Sequence, residues 1–224
     1  MGNEGAMDWV AIPEWSVVAA FFVAGVVLII TPGPDMTLML SRTLARGPVA
    51  GLVTITGTSV GSLVHSLLAA LGISALVAAS PGAFVALKIV GALYLAWLAI
   101  GALRNGAVMR IDTGQITARR GTLAGDFAAG IAINLLNPKI VLFFVTFLPQ
   151  FVSADDSQAA GKLLFLGVMF VAMAWPAMAL MVVFADRFAR ALTARPAVAR
   201  TIDWLFATIF GAFAIRILLA EAQG

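Results

Sequence analysis

Residues 30–36 read Ile30-Thr31-Pro32-Gly33-Pro34-Asp35-Met36, inside an apolar run that extends from Phe21 to Leu40. A proline removes a backbone donor, and its ring collides with the preceding turn, so two prolines around a glycine cannot continue an ordinary helix. Pro34 suits the first turn of a helix that starts afresh, which puts Asp35 at that helix's positive end. If the run spans a membrane, the chain carries an acid at a break inside lipid, where carboxylates are expensive and mark functional positions by default.

The composition says that it does. Of 224 residues, 62% are hydrophobic and 11% charged, with a mean hydropathy of +1.03; soluble domains have about 45–50% and about 25%. The absence of cysteine excludes disulfides and thiolate metal sites, and one histidine disfavours a transition-metal cluster, so no cofactor is expected. A pI of about 10.0 suggests nucleic acid, but the net charge is only +3. The basic residues fall in short loops, where orientation and anionic lipid head groups explain them. Glu4, Asp8 and Glu14 precede the first apolar run without any Lys or Arg, unlike a secretory leader, so that run is read as a retained span.

A helix needs about 20 residues to cross a hydrocarbon core of about 30 Å. Six segments qualify: 15–44 with its break, 48–79, 83–103, 123–151 interrupted at Asn137-Pro138-Lys139, 161–185 and 201–220. Ten basic residues fall on one side: Arg42, Arg46, Arg104, Arg110, Arg119, Arg120, Arg187, Arg190, Arg195 and Arg200. Lys88, Lys162 and Arg216 fall on the other, with Lys139 left inside the fourth span. The bias places the basic loops in the cytosol and both termini outside. Trp9, Trp15 and Trp204 fall near interfaces and read as anchors.

The expected fold is an all-α polytopic membrane protein with six transmembrane helices, a single domain over 1–224. Its halves, 15–103 and 123–220, are joined by a cytosolic connector at 104–122 and run in opposite directions. Each opens on a proline-interrupted span, so the arrangement is an inverted 3+3 repeat with broken first and fourth helices. Corresponding breaks in two halves point to a transporter's binding site.

Counting back from Arg42 puts Asp35 roughly 10 Å inside the cytosolic boundary, with Thr31 deeper. The plainer reading is a kinked helix whose Asp35 caps free amides, but a neutral Ser or Thr would cap at less risk in lipid. Asn137-Pro138 reads as N-cap and first residue of another restarting helix, roughly 16 Å deep, with Asn134 on the same face. Half-helix ends near Pro34 and Pro138, with Gly33 at the first break, would offer N–H groups to a carboxylate. Lys139 would neutralise Asp35 or meet a substrate carboxylate; the alternative is a side chain reaching for the far interface. His65, the one histidine, lies near the midplane with an ordinary pKa of about 6.5. It is a proton-coupling candidate beside Asp35, or a neutral imidazole bonded across helices.

Gly57-Thr58-Ser59-Val60-Gly61 matches the hydrolase pattern G-x-S-x-G. That pattern needs a strand–turn–helix, and six residues along a helix set Ser59 and His65 roughly 240° apart. The same glycines form G-x-x-x-G, which admits a neighbouring helix closely and would also serve a homodimer. Trp175-Pro176 kinks the fifth span, either lining a pathway or packing.

Taken in order, the chain resembles the LysE/RhtB amino-acid exporters. The matching positions are Thr31-Pro32-Gly33-Pro34-Asp35, Gly47, Gly51, Gly57, Gly61 and His65, then Ser80-Pro81, Phe84, Leu87-Lys88, Gly91-Ala92 and Tyr94-Leu95. In the second half they are Asn134, Asn137-Pro138-Lys139, Phe143-Phe144 and Leu148-Pro149-Gln150-Phe151. The resemblance implies a six-span protein of the bacterial inner membrane that exports amino acids or close derivatives, driven by protons. The expected substrate-binding set is Thr31, Gly33, Pro34, Asp35, Asn134, Asn137, Pro138 and Lys139. An ion or metal exporter and an intramembrane enzyme are the alternatives.

Overall fold

A computed structural model of the chain describes residues 11–105, 121–153, 156–185, 187 and 196–221. Trp9, read as an anchor, and Arg110, Arg119, Arg120, Arg190 and Arg195, used in the orientation argument, lie outside the described residues, as does most of the 104–122 connector. Helix α1 (Trp15–Ile30) stops where the prolines begin, with Thr31 extended. Pro34 opens α2 (Pro34–Arg46) after an extended Gly33, and the two helices meet at a bend of 51°. Gly47 turns the chain into α3 (Pro48–Ala79) with φ +88°, a conformation that favours glycine.

After α4 (Pro81–Asn105), Thr122 caps α5 (Leu123–Leu135), its hydroxyl accepting from the Gly125 N–H at 3.0 Å. The second break then delivers α6 (Pro138–Leu142) at a bend of 52°. Helix α6 widens into a π-helical turn at Phe143–Phe147 and tightens into a 3-10 turn at Leu148–Phe151. Pro149 explains this change: in a regular helix its ring would press on the Val145 carbonyl, and its missing N–H breaks the ladder. Helices α7 (Ala159–Val183) and α8 (Pro196–Glu221) complete the described chain.

Among the described residues, four helices are long and apolar enough to cross a membrane, or up to six spans if each bent pair is one. The protein is an all-α, multi-pass membrane protein, and its first and fourth spans are broken where the prolines stand.

Helix α3 is the central post, packed on α2, α5 and α7, while α4 packs on α8. The α3–α5 crossing is a backbone contact. A Cβ on Gly57 would lie 2.2 Å from the Phe127 carbonyl oxygen, and one on Gly130 would lie 2.2 Å from that of Thr54. Gly61, the second glycine of the G-x-x-x-G pattern, faces Asn134 of α5. The pattern is therefore used inside the molecule.

The π turn carries the aromatic core. Phe143 meets Phe170 of α7 at 5.0 Å between centroids, and Phe147 meets Phe210 of α8 at 5.1 Å. This packing locks the second break against α1, α7 and α8 through dispersion and ring-edge contacts. Trp175 donates its indole N–H to the Thr56 hydroxyl at 3.3 Å, a contact between α7 and α3.

The two ends of the bundle differ. Arg42 and Arg46 of α2 meet Asp126 of α5 at one end, where Arg187 stands near Thr43 and Pro48. At the other end, Lys88 of α4 and Arg216 of α8 line one cleft of about 280 Å³. These two groups are sorted as the charge count sorted them.

Candidate functional site

The two breaks meet. Asp35, at the start of α2, accepts a hydrogen bond from Asn134 Nδ2 at 2.7 Å and another from Asn137 Nδ2 at 2.9 Å. All three side chains are buried. Bonds from neutral donors to an ionised acceptor are among the stronger hydrogen bonds, and a buried carboxylate needs them.

Asn137 does two things at once. Its Oδ1 accepts from the Lys139 N–H at 3.0 Å, capping α6, while its Nδ2 serves Asp35. A side-chain amide can do both, whereas an ionised aspartate cap has no donor to offer the acid. The same cap occupies the α6 amide that had been expected to await a carboxylate, and this corrects the picture of two open helix ends.

Asn134 is held in turn from α3. Ser62 Oγ donates to its Oδ1 at 3.3 Å, and His65 Nε2 lies 3.4 Å from its backbone oxygen, a hydrogen bond in the tautomer that carries the proton on Nε2. His65 also stacks on Phe144 at 5.6 Å. The histidine thus stands one residue removed from Asp35, behind Asn134. Ser59, the hydrolase-pattern serine, donates to the Ile55 carbonyl of its own helix at 2.8 Å.

Lys139 makes hydrogen bonds that sequence reasoning did not foresee. Its ammonium donates to the carbonyls of Thr31 at 2.8 Å and Leu28 at 3.2 Å, at the C-terminal end of α1. It neither pairs directly with Asp35 nor reaches for an interface. The Thr31 hydroxyl donates to Val27 O at 2.6 Å, and the residue meets Lys139 through its carbonyl. Gly33 leaves room for the lysine, because a Cβ there would lie 2.9 Å from Nζ. Pro34 and Pro138 act as helix starters and present no side-chain polar group.

Thr31, Asp35, Ser62, Asn134 and Lys139 line one cavity of about 40 Å³, with Met36, Phe170 and Met178 on its apolar side. That is room for roughly three waters.

The sequence comparisons agree with this architecture. Residues 26–221 match the family described as LysE type translocator. The chain belongs to that family. A leucine efflux protein of Klebsiella pneumoniae is 26% identical over 202 residues, 90% of this chain and 94% of the relative. A homoserine/homoserine lactone efflux protein of Salmonella typhimurium is 29% identical over 204 residues, 91% and 96% of the two chains. An uncharacterized membrane protein of Pseudomonas aeruginosa is 35% identical over 152 residues, 66% of this chain and 70% of its own. No solved structure matches the chain significantly.

In this LysE translocator, sequence reasoning missed an ion cluster that ties α2 to α5. Asp126, 1% exposed, sits between Arg42 Nε at 3.4 Å and the guanidinium of Arg46, which also donates to the Gly121 carbonyl. Arg42 and Arg46 had been used only to sort loops and measure depth. The available signal was an acid in the first turn of α5 beside a basic loop, which alone names no partner. Asp126→Ala should lower the midpoint of thermal unfolding in detergent by the equivalent of about 2 kcal/mol. That lies below the range for breaking a fully buried pair because both arginines keep partial access to water.

Proposed function

We propose that this LysE translocator is a secondary active exporter of amino acids or close derivatives from the cytosol, driven by the proton gradient, and performs no covalent chemistry. One observation carries the reading: a buried carboxylate from one broken span is held by two asparagines from the other, beside a small cavity. The names of the leucine and homoserine efflux relatives support the substrate class.

The cavity is smaller than any amino acid with a side chain requires. Loading therefore separates α2 from α5, first at the Asp126 cluster and then at the asparagines. In the opened site, Asp35 takes the substrate ammonium, and the helix start at Pro34 receives its carboxylate. Asp35, with His65 behind Asn134, carries the exchangeable proton. One charge moved through 100 mV is worth about 2.3 kcal/mol, enough to concentrate a substrate many-fold.

We place the protein in the bacterial inner membrane as one domain with pseudo-repeats 15–103 and 123–220, both termini outside, its basic loops against anionic lipid. The test is uptake of labelled leucine, homoserine, threonine and lysine into inverted vesicles with an acid interior. At least one should accumulate, compete with its unlabelled form and leak back when the gradient is collapsed. Uptake indifferent to the gradient would remove proton coupling.

A further inference from the structure

The α1 break creates a cation seat. In a continuous helix, the Leu28 carbonyl would accept from the N–H of residue 32, and the Thr31 carbonyl from that of residue 35. Residue 32 is a proline without an N–H, and the extended backbone at Thr31 and Gly33 ends the ladder. Both oxygens therefore sit among the orphan carbonyls of a helix C-terminus, the end that bears partial negative charge. Exposed to lipid without a donor, each would be costly.

Those two oxygens are the ones that the Lys139 ammonium satisfies, at 3.2 and 2.8 Å. The lysine comes from the other half of the molecule. It also passes across Gly33, which has no side chain to block it.

We propose that the Leu28 and Thr31 carbonyls form a monovalent-cation site which Lys139 fills with a tethered ammonium. Unwound carbonyls and half-helix C-terminal ends are where transporters seat sodium ions or protons. Here the cation is part of the chain, so the broken span keeps its shape without an ion from solution. The assignment deepens the site described above but does not depend on which substrate is carried.

The test uses purified full-length protein in detergent, with thermal unfolding as the readout. Wild type should melt at one temperature in sodium chloride, methylammonium chloride and N-methyl-D-glucamine chloride at equal ionic strength. Lys139→Ala should melt lower in the glucamine salt. It should then regain roughly 5 °C as methylammonium rises to a hundredfold excess over its Kd, with saturation. Gly33→Ala, whose Cβ would displace the lysine end, should acquire the same response. In vesicles, Lys139→Ala transport should be stimulated by methylammonium or sodium, whereas wild-type transport should not.

A folded Lys139→Ala protein that melts equally in all three salts would overturn the proposal, whatever its transport activity. If Lys139→Ala does not fold, Lys139→Met and Gly33→Ala give the same comparison. A saturable methylammonium response without any amino-acid transport would uphold the cation site while removing the exporter reading.

Discussion

Asp35→Asn should abolish gradient-driven export while the protein still inserts and purifies as a folded monodisperse species. The substitution keeps the shape and removes the charge. In the wild type, Asn134 Nδ2 and Asn137 Nδ2 each point at one oxygen of the carboxylate. An asparagine offers one oxygen and one NH2, so one of the two donors faces another donor and loses its partner. A buried donor left unmatched costs about 1–3 kcal/mol, which should appear as a lower unfolding midpoint but not as failure to fold. Transport should fall much further, because a neutral amide neither exchanges a proton nor pairs with an ammonium. The decisive measurement is accumulation in inverted vesicles with and without an imposed pH gradient. Gradient-driven accumulation at the wild-type level in Asp35→Asn would take Asp35 out of the mechanism.

Gly57→Leu should be among the most damaging single substitutions in the membrane-buried core. Its Cβ alone would lie 2.2 Å from the Phe127 carbonyl oxygen, a backbone atom that no side-chain rotation can clear. Inserting atoms into a packed interface costs about 1–3 kcal/mol and sometimes more. Relief here requires α3 and α5 to move apart, so the upper end is expected. The loss is not confined to stability. Ser62 and His65 ride on α3 and Asn134 on α5, so separation loosens the asparagine that serves Asp35. Gly72→Ala provides the control on the same helix: nothing lies within 4 Å of its Cβ position, so that variant should keep or raise the unfolding midpoint. Comparable losses from both substitutions would show that the close α3–α5 approach is not what makes Gly57 irreplaceable.

The asymmetry between these glycines shows where sequence reading stops. Both stand in one apolar helix, and G-x-x-x-G spacing singled out Gly57 and Gly61 correctly. Yet only the packed molecule says that α5 is the helix they admit. Asn137 was legible because an N-cap followed by proline is a local pattern, and it caps α6 as that pattern requires. Asn134 and Asn137 were legible as a pair because three residues along a helix share a face. Ser62 was not, although Thr58 and His65 flank it at helical spacing, because a hydroxyl in an apolar helix usually satisfies itself on its own backbone.

The sequence by itself determined the membrane-spanning class, the segments that cross, the two breaks and the acid and amides at them. Hydropathy, proline chemistry and helix periodicity are properties of adjacent residues, and they hold whatever the rest of the chain does. The tertiary structure decided which partner each polar group takes: Lys139 the carbonyls of α1 in place of the Asp35 carboxylate, Asp126 the two arginines, His65 the backbone of Asn134. Those choices depend on the rotation and crossing of helices distant in sequence. At the α3–α5 crossing they are set within tenths of an ångström by two glycines that let one backbone lie on another.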